Sequence, residues 1–438
     1  MNIYIAFAVF IICIAAAIIF DISHILPLAA GFFIFSFLAL KKGFGIKDIL
    51  RFSLDSLHDS SIVILVMLLI GCLTGLWRLN GTIAYFVSAG VKLMPPSVFV
   101  LAAFLICAAM SYAIGSSFGV TATAGVIVMS IARAGNLPAT IVAGAIISGV
   151  YVGDRGSPAS SAANLVAALT GTDIRKNIRI MFKTALIPFI LTCVLYTLLS
   201  LRYPMNSGES ELLDMLAVEF NLSRICLIPA ILMIVLPFFN VNIKISLVVD
   251  IIVSIIIAIT VQQADAAQCL KAAVLGYSTD NAMLSSIISG GGLKSMLEVS
   301  IILLISGTYG KIFQGTGLLL PITDAIKTMS SSVGRFLSMI ILSFAVCMIF
   351  CNQTIGSIMI NQLSSGIYGD SEEEKYNKMT DIECSTITIA AMVPWCIAVS
   401  VPLAMLDADM TAIPFAFFVF LVPICHLIRS RRVKNGNT

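Results

Sequence analysis

Apolar residues in this chain come in long blocks separated by short polar seams. The blocks are Ile3–Phe20, Ile25–Leu40, Ser61–Leu76, Ser97–Ile114, Ile178–Leu201 (apart from Arg179 and Lys183), Ile245–Val261, Val299–Ile312, Phe336–Phe350, Thr386–Leu406 and Thr411–Ile428. A helix rises 1.5 Å per residue, so the hydrocarbon layer is crossed by roughly 20 mostly apolar residues. Blocks that qualify, or nearly so, predict an all-α polytopic membrane protein with about 10–12 transmembrane helices.

Four regions break this pattern. Gly, Pro, Ser and Asn interrupt apolar sequence at 115–121, 153–161, 351–354 and 383–395, where a span should be continuous. Irregular backbone survives at membrane depth only if protein buries it or it lines a cavity. Such broken or re-entrant helices in two corresponding halves point to a transporter's binding site. Sliding the sequence by 235 residues aligns Gly75 with Gly310, Met94 with Met329 and Ser97 with Ser332, and it sets Ser116-Ser117-Phe118 on Cys351-Asn352-Gln353. Break falls on break, so the expectation is one membrane domain over 1–438. It is built as an inverted two-fold repeat, with halves roughly 1–201 and 223–428.

Composition closes off other classes. Of 438 residues, 59% are hydrophobic and 11% charged, against roughly 25% charged in a soluble domain, and the mean hydropathy is +1.03. The polar stretches Arg202–Asn221 and Ser364–Ser385 are too short to fold alone, so no soluble catalytic module is expected. The 11 cysteines are scattered singly and read as small hydrophobes. His24, His58 and His426 sit near expected helix ends, far apart, and no cofactor or metal cluster is expected. The start of the chain lacks a positive region and a cleavage pattern, so it reads as a retained first span.

The net charge of +3 says little about partners, and no nucleic-acid partner is expected. Location says more. Lys41, Lys42, Lys47 and Arg51, then Arg175, Lys176, Arg179 and Lys183, then Arg429, Arg431, Arg432 and Lys434 form three clusters. By the positive-inside rule these are cytoplasmic. Both termini are then cytoplasmic in a multi-pass protein of the cell (inner or plasma) membrane, and the stretch with Glu209, Glu211, Asp214 and Glu219 lies outside. Homodimerisation is left open.

The chemistry concentrates in Ser148-Gly-Val-Tyr-Val-Gly-Asp154-Arg155-Gly-Ser157-Pro158-Ala-Ser160-Ser161-Ala-Ala-Asn164. An ionisable residue inside the membrane is a functional candidate by default. Freed carbonyls, the hydroxyls of Ser157 and Ser160, and Asp154 make a hard oxygen set suited to Na⁺. Alternatively, Asp154 and Arg155 simply pair at a helix end. Glu383 is the matching acid of the second half, followed by Ser385, Thr386 and Thr388. Asn352 and Gln353 add buried amides. Arg155 would tune the site or anchor a substrate. Ser117, Thr121 and Asp250 form a second tier, Asp250 as a lone acid in an apolar span. Asp407 and Asp409 read as a solvated turn.

Gly153-Asp-Arg-Gly-Ser-Pro158 with Asn164-Leu165 resembles the Gly-Asp-(Lys/Arg)-x-Ser-Pro signature of the NhaC family of sodium/proton antiporters. Ile70-Gly-Cys-Leu-Thr-Gly-Leu-Trp77 with Gly81-Thr82-Ile83 resembles that family's early helix. Gly291-Gly292-Leu293 with Met296, and Gly315-Thr-Gly-Leu318, resemble its second half. Asn352-Gln353 falls where the family commonly has Asp-Gln, and Glu383 with Pro394-Trp395 is similar to a late motif. The resemblance runs from about Asp59 to about Ala404. It implies the ion-transporter fold, inverted repeats and Na⁺ and H⁺ as transported ions. The chain departs from the pattern at Ser161-Ala162-Ala163, where Asp-Thr-Thr is usual, at Asn352 and at Cys396. Asp154 and Glu383 are the surviving acids, candidate Na⁺ ligands.

Two transport mechanisms fit these residues. In cation/proton antiport, one buried carboxylate holds either H⁺ or Na⁺, with alternating access. In exchange or symport of a small organic anion or amino acid, Arg155 and broken-helix N-termini hold a substrate carboxylate, and Ala162–Ala163 make room. A membrane-embedded enzyme is disfavoured: Tyr151-Val-Gly-Asp154 lacks the first Gly of a GxGD protease pattern, and Gly115-Ser-Ser117-Phe118 lacks the last Gly of a GxSG elbow.

Overall fold

The computed structural model describes residues 3–20, 22–23, 25–205, 210–239, 241–318 and 320–436. His24 and Glu209, named above, lie outside these residues. In chain order the helices are α1 (Ile3–Ile19), α2 (Ile25–Lys41), α3 (Ile46–Leu79), α4 (Thr82–Leu93), α5 (Phe99–Ile114), α6 (Ser117–Val120), α7 (Val126–Ala134), α8 (Ala139–Gly156), α9 (Ser161–Thr170) and α10 (Ile174–Arg202). There follow α11 (Ser210–Glu219), α12 (Ile228–Phe238), α13 (Ile243–Thr260), α14 (Ala266–Leu275), α15 (Ala282–Ile288), α16 (Leu297–Thr316) and α17 (Leu320–Val333). The last are α18 (Arg335–Phe350), α19 (Gln353–Leu363), α20 (Glu372–Cys384), α21 (Thr386–Ile389), α22 (Ile397–Met405) and α23 (Phe417–Gly436). No strand forms among the described residues. The protein is an all-α, multi-pass membrane protein.

Among the described residues, six helices are long and apolar enough to cross a bilayer, or eight if each of two bent pairs is one span. The expected 10–12 exceeds this count. The difference lies in further apolar helices of 10–17 residues, such as Ile25–Lys41 and Arg335–Phe350. All four expected breaks are present. The chain leaves helical geometry at Gly115–Ser116, between α8 and α9, at Cys351–Asn352, and between α21 and α22, where Glu372–Met392 and Ile397–Met405 meet at 49°.

The shortened helices pair into hairpins. α5 descends to Gly115, which turns in the left-handed region (φ 73°), and the chain then returns through α6 and α7. Both legs start from one face. The Met205 amide, just past α10, donates to the Pro96 carbonyl (3.0 Å), and Gly135, just past α7, packs against Met205. α18 descends to Cys351, also left-handed (φ 52°), and α19 returns. Its legs belong to the face where α10 begins: Arg335 reaches Glu374 at 3.3 Å, Lys378 donates to the Asn361 carbonyl at 2.8 Å, and Lys176 pairs with Glu372 at 2.9 Å. The two hairpins therefore enter from opposite faces. A 16-residue leg reaches about 24 Å, whereas α10 with 29 residues runs about 43 Å. Each leg is therefore a little over half the length of α10.

The helix bounds also recur. The differences 335 − 99, 350 − 114, 351 − 115 and 397 − 161 all equal 236, one residue more than the sequence offset. This register sets Ser116 on Asn352, both extended residues capping the returning helix, and Pro158 on Pro394. The recurrence supports a two-fold repeat.

Candidate functional site

The two tips meet at the break between α8 and α9. α8 can lie close against α5 because two glycines face that helix. A Cβ on Gly153 would sit 2.0 Å from the Ser111 carbonyl carbon, and one on Gly149 would sit 2.6 Å from the Phe104 oxygen. Gly115 is pressed on the Ala159–Ser160 backbone in the same way. In the second half the Ile397 amide donates to the Cys351 carbonyl (2.9 Å), and Trp395 Nε1 donates to the Met348 carbonyl (2.9 Å). Each tip is thus braced by the break of its own half.

Asp154, in the last turn of α8, is 5% exposed. Gln353, the first residue of α19, donates from Nε2 to its Oδ2 at 3.0 Å. Ser117, the first residue of α6, approaches it with both amide and hydroxyl. The two tips therefore deliver the same register position, Ser117 and Gln353, to one acid.

The neighbouring polar residues build the scaffold around it. The Ser160 hydroxyl donates to the Asp154 carbonyl and caps α9 through the Ala163 amide. Ser157 Oγ accepts from the Ala159 amide (3.1 Å). Asn164 Nδ2 donates to the carbonyls of Pro158 (2.9 Å) and Ser160 (2.7 Å). Asn352 Oδ1 accepts from the amides of Thr354 (2.8 Å) and Ile355 (3.2 Å), which caps α19. Thr121 donates to the Ser117 carbonyl (2.8 Å), where a π-helical turn begins.

Arg155 does not close on Asp154. Its Nε donates to the Glu383 carbonyl at 3.0 Å, and Nη2 donates to Thr184 Oγ1 at 2.6 Å and lies 3.1 Å from Cys384 Sγ. The guanidinium is 1% exposed and stitches α8 to α10 and α20. Glu383 is buried beside it, and its Oε2 has no hydrogen-bond partner. Thr386 sits apart from Asp154 in a hydroxyl cluster with Ser343 (2.9 Å), which in turn bonds Ser385 (3.2 Å). Asp250 lies outside the meeting point, on α13 against α3.

Two clusters were missed by sequence reasoning. Asp407 sits in an exposed turn, as expected, but it also pairs: Arg78, 2% exposed, binds its Oδ2 at 2.9 Å, and Arg133 lies at 3.6 Å. Asp381, near the end of α20, is buried and accepts from Tyr368 (2.7 Å) and Arg335 Nε (3.1 Å). Its other oxygen meets His426 Nε2 at 2.9 Å. The partners lie up to hundreds of residues away, so no local pattern announces them.

Broken helices that enter from opposite faces and meet midway at a buried acid are the architecture of secondary transporters. The sequence profile of the Na⁺/H⁺ antiporter family matches residues 149–429, and the chain belongs to that family. It is similar to the malate-2H⁺/Na⁺-lactate antiporter of Bacillus subtilis (strain 168), 26% identical over 402 residues, 90% of this chain and 86% of the relative. It is similar to the Na⁺/H⁺ antiporter NhaC of Alkalihalophilus pseudofirmus (strain ATCC BAA-2126 / JCM 17055 / OF4), 26% identical over 392 residues, 88% and 85% of the two chains. The arginine/ornithine antiporter ArcD of Halobacterium salinarum (strain ATCC 700922 / JCM 11081 / NRC-1) is 28% identical over 280 residues, 62% of this chain and 58% of its own.

Proposed function

We propose that the protein exchanges a monovalent cation, Na⁺ foremost, for H⁺, with Asp154 as the shared carboxylate. One observation carries this reading: Asp154 is buried where both hairpin tips meet, with no cationic side chain paired to it among the described residues, while the adjacent Arg155 is turned onto Glu383, Thr184 and Cys384. A carboxylate out of water needs a compensating positive charge or a proton. Either one excludes the other, and that competition couples the two ions. Ser117, the Gln353 amide turned to offer Oε1, and second lone pairs of backbone carbonyls at the breaks would complete an oxygen shell. Glu383, with its unpaired Oε2, would be the second acid. Movement of one repeat against the other would then open the site to each face in turn, with both termini cytoplasmic.

The relatives supply a second reading, since one is named for malate and lactate and another for arginine and ornithine. The N-termini of α6 and α19, both directed at the same point, would suit a substrate carboxylate. Against this, the two Arg155 nitrogens with assigned bonds are already engaged by protein groups.

Proteoliposomes under an imposed pH gradient, offered Na⁺, K⁺, Li⁺ and a panel of small carboxylates, separate the readings. Asp154→Asn should fold, since the amide keeps the size and still accepts from Gln353, yet coupled cation exchange should fall to background. Cation-dependent flux that survives Asp154→Asn overturns the mechanism.

A further inference from the structure

We infer that Asp250 is a second proton-binding site, separate from the meeting point of the hairpins. α13 shows two faces. Val248, Val249, Ile252, Ile256 and Ile259 are exposed as a lipid-facing helix requires, whereas Ser246, Asp250 and Ser254, spaced by four, are fully buried on the other face. The carboxylate therefore looks away from lipid and water alike. Ser254 Oγ lies 3.4 Å from Oδ1, and Oδ2 has no hydrogen-bond partner. Trp77 of α3 faces the acid with its buried indole N–H, without reaching full hydrogen-bond geometry.

No positive charge compensates it. The elements packed on α13 are α3, α12 and α14. On α3, Arg78 is spent on Asp407 and the Thr74 carbonyl. α12, Ile228–Phe238, carries no titratable side chain. α14 offers Cys269, packed at Leu76 and Ala258, and Lys271, which lines a surface cavity of about 340 Å³ with Gln262 and Tyr277. On α13 itself the only other charge is Lys244, in its first turn. No lysine or arginine nitrogen lies within 4.0 Å of Asp250 among the described residues. An ionised carboxylate held this way, at membrane depth, has only the Ser254 hydroxyl and the Trp77 N–H beside it, and no positive charge, to offset its lost hydration. A proton on Oδ2 removes that charge and supplies a donor. The proton comes from water and returns to it as the medium is made alkaline.

This inference stands on the burial of α13 and not on the role of Asp154, so the two can fail separately. The test is infrared spectroscopy of the full-length protein in lipid nanodiscs, following the carboxylic-acid C=O stretch as pH is raised. A protonated-carboxyl band at neutral pH should be lost in Asp250→Asn, be shifted in Asp250→Glu and persist in Asp154→Asn. It should fade on alkalinisation, with release of one proton fewer per chain in Asp250→Asn after a pH jump. Should Asp250→Asn not fold, the shift in Asp250→Glu, which keeps an acid, still assigns the band. A band unmoved by Asp250→Glu, or a wild-type protein without one at neutral pH, overturns the proposal.

Discussion

At the residue scale, small side chains decide how closely the functional backbone can approach its neighbours. Gly153 and Gly156 sit three residues apart at the end of α8, yet they face opposite demands. A methyl at 153 would run into the Ser111–Tyr112 backbone, whereas nothing lies within 4 Å of one at 156. Gly153→Ala should therefore lower the melting temperature in detergent and abolish exchange, by forcing α8 off α5. Gly156→Ala should be neutral or slightly stabilising, since Gly within a helix costs about 1 kcal/mol relative to Ala. The glycines and Asp154 were legible in the sequence as one motif. Their division of labour was not, because it depends on which face meets α5. The Asp154–Arg155 dipeptide makes the same point: adjacent in sequence, the two side chains leave α8 in different directions and serve different partners.

At the element scale, each half-helix ends because its capping residues supply what the next helix needs. Ser116 and Asn352 cap returning helices from equivalent positions, and Ser160 caps α9. The hairpin bases are tied by charge. Asp407, at the end of α22, neutralises buried Arg78 and joins it to Arg133 of the first hairpin. Asp407→Asn leaves Arg78 buried and unpaired, an arrangement that costs about 3–5 kcal/mol when fully buried. Asp407 is one-third exposed, so a loss near the lower end is expected, read as thermal stability. Asp381→Asn should likewise loosen the opposite base, where Arg335, Tyr368 and His426 converge on it. Its signature is easier proteolysis between 364 and 371 with Asp154 left intact.

At the scale of the whole molecule, the two hairpins reach the centre from opposite faces, as an inverted repeat requires. The 236-residue recurrence of helix bounds supports that reading. Lys92, beside the base of the first hairpin, and Glu373, at the base of the second, are both exposed. Cysteines introduced there, in a background lacking accessible native cysteines, should react with a membrane-impermeant thiol reagent from opposite sides. Lys92→Cys should label from outside and Glu373→Cys from the cytoplasm. Labelling of both from one side would exclude the inverted arrangement. The helix count is decided at this scale as well. The apolar block 336–350 forms a 16-residue helix that ends at a hairpin tip, so it is one leg of a broken span.

The sequence by itself determined the solvent of this protein, because only a chain so poor in charge and so rich in long apolar blocks has to bury its backbone in lipid. It also determined where helices break, since Gly115, Pro158, Asn352 and Pro394 carry their conformational consequences locally. The meeting of those breaks was decided by tertiary structure. Ser117 and Gln353 lie 236 residues apart and reach one carboxylate only because two half-length hairpins enter from opposite faces. Which acids are compensated was decided there too. Asp407 and Asp381 found arginines through long-range packing, whereas among the described residues the carboxylates of Asp250 and Glu383 have none within 4.0 Å. Charge pairing is a property of side-chain directions in three dimensions, and no spacing along the chain encodes it.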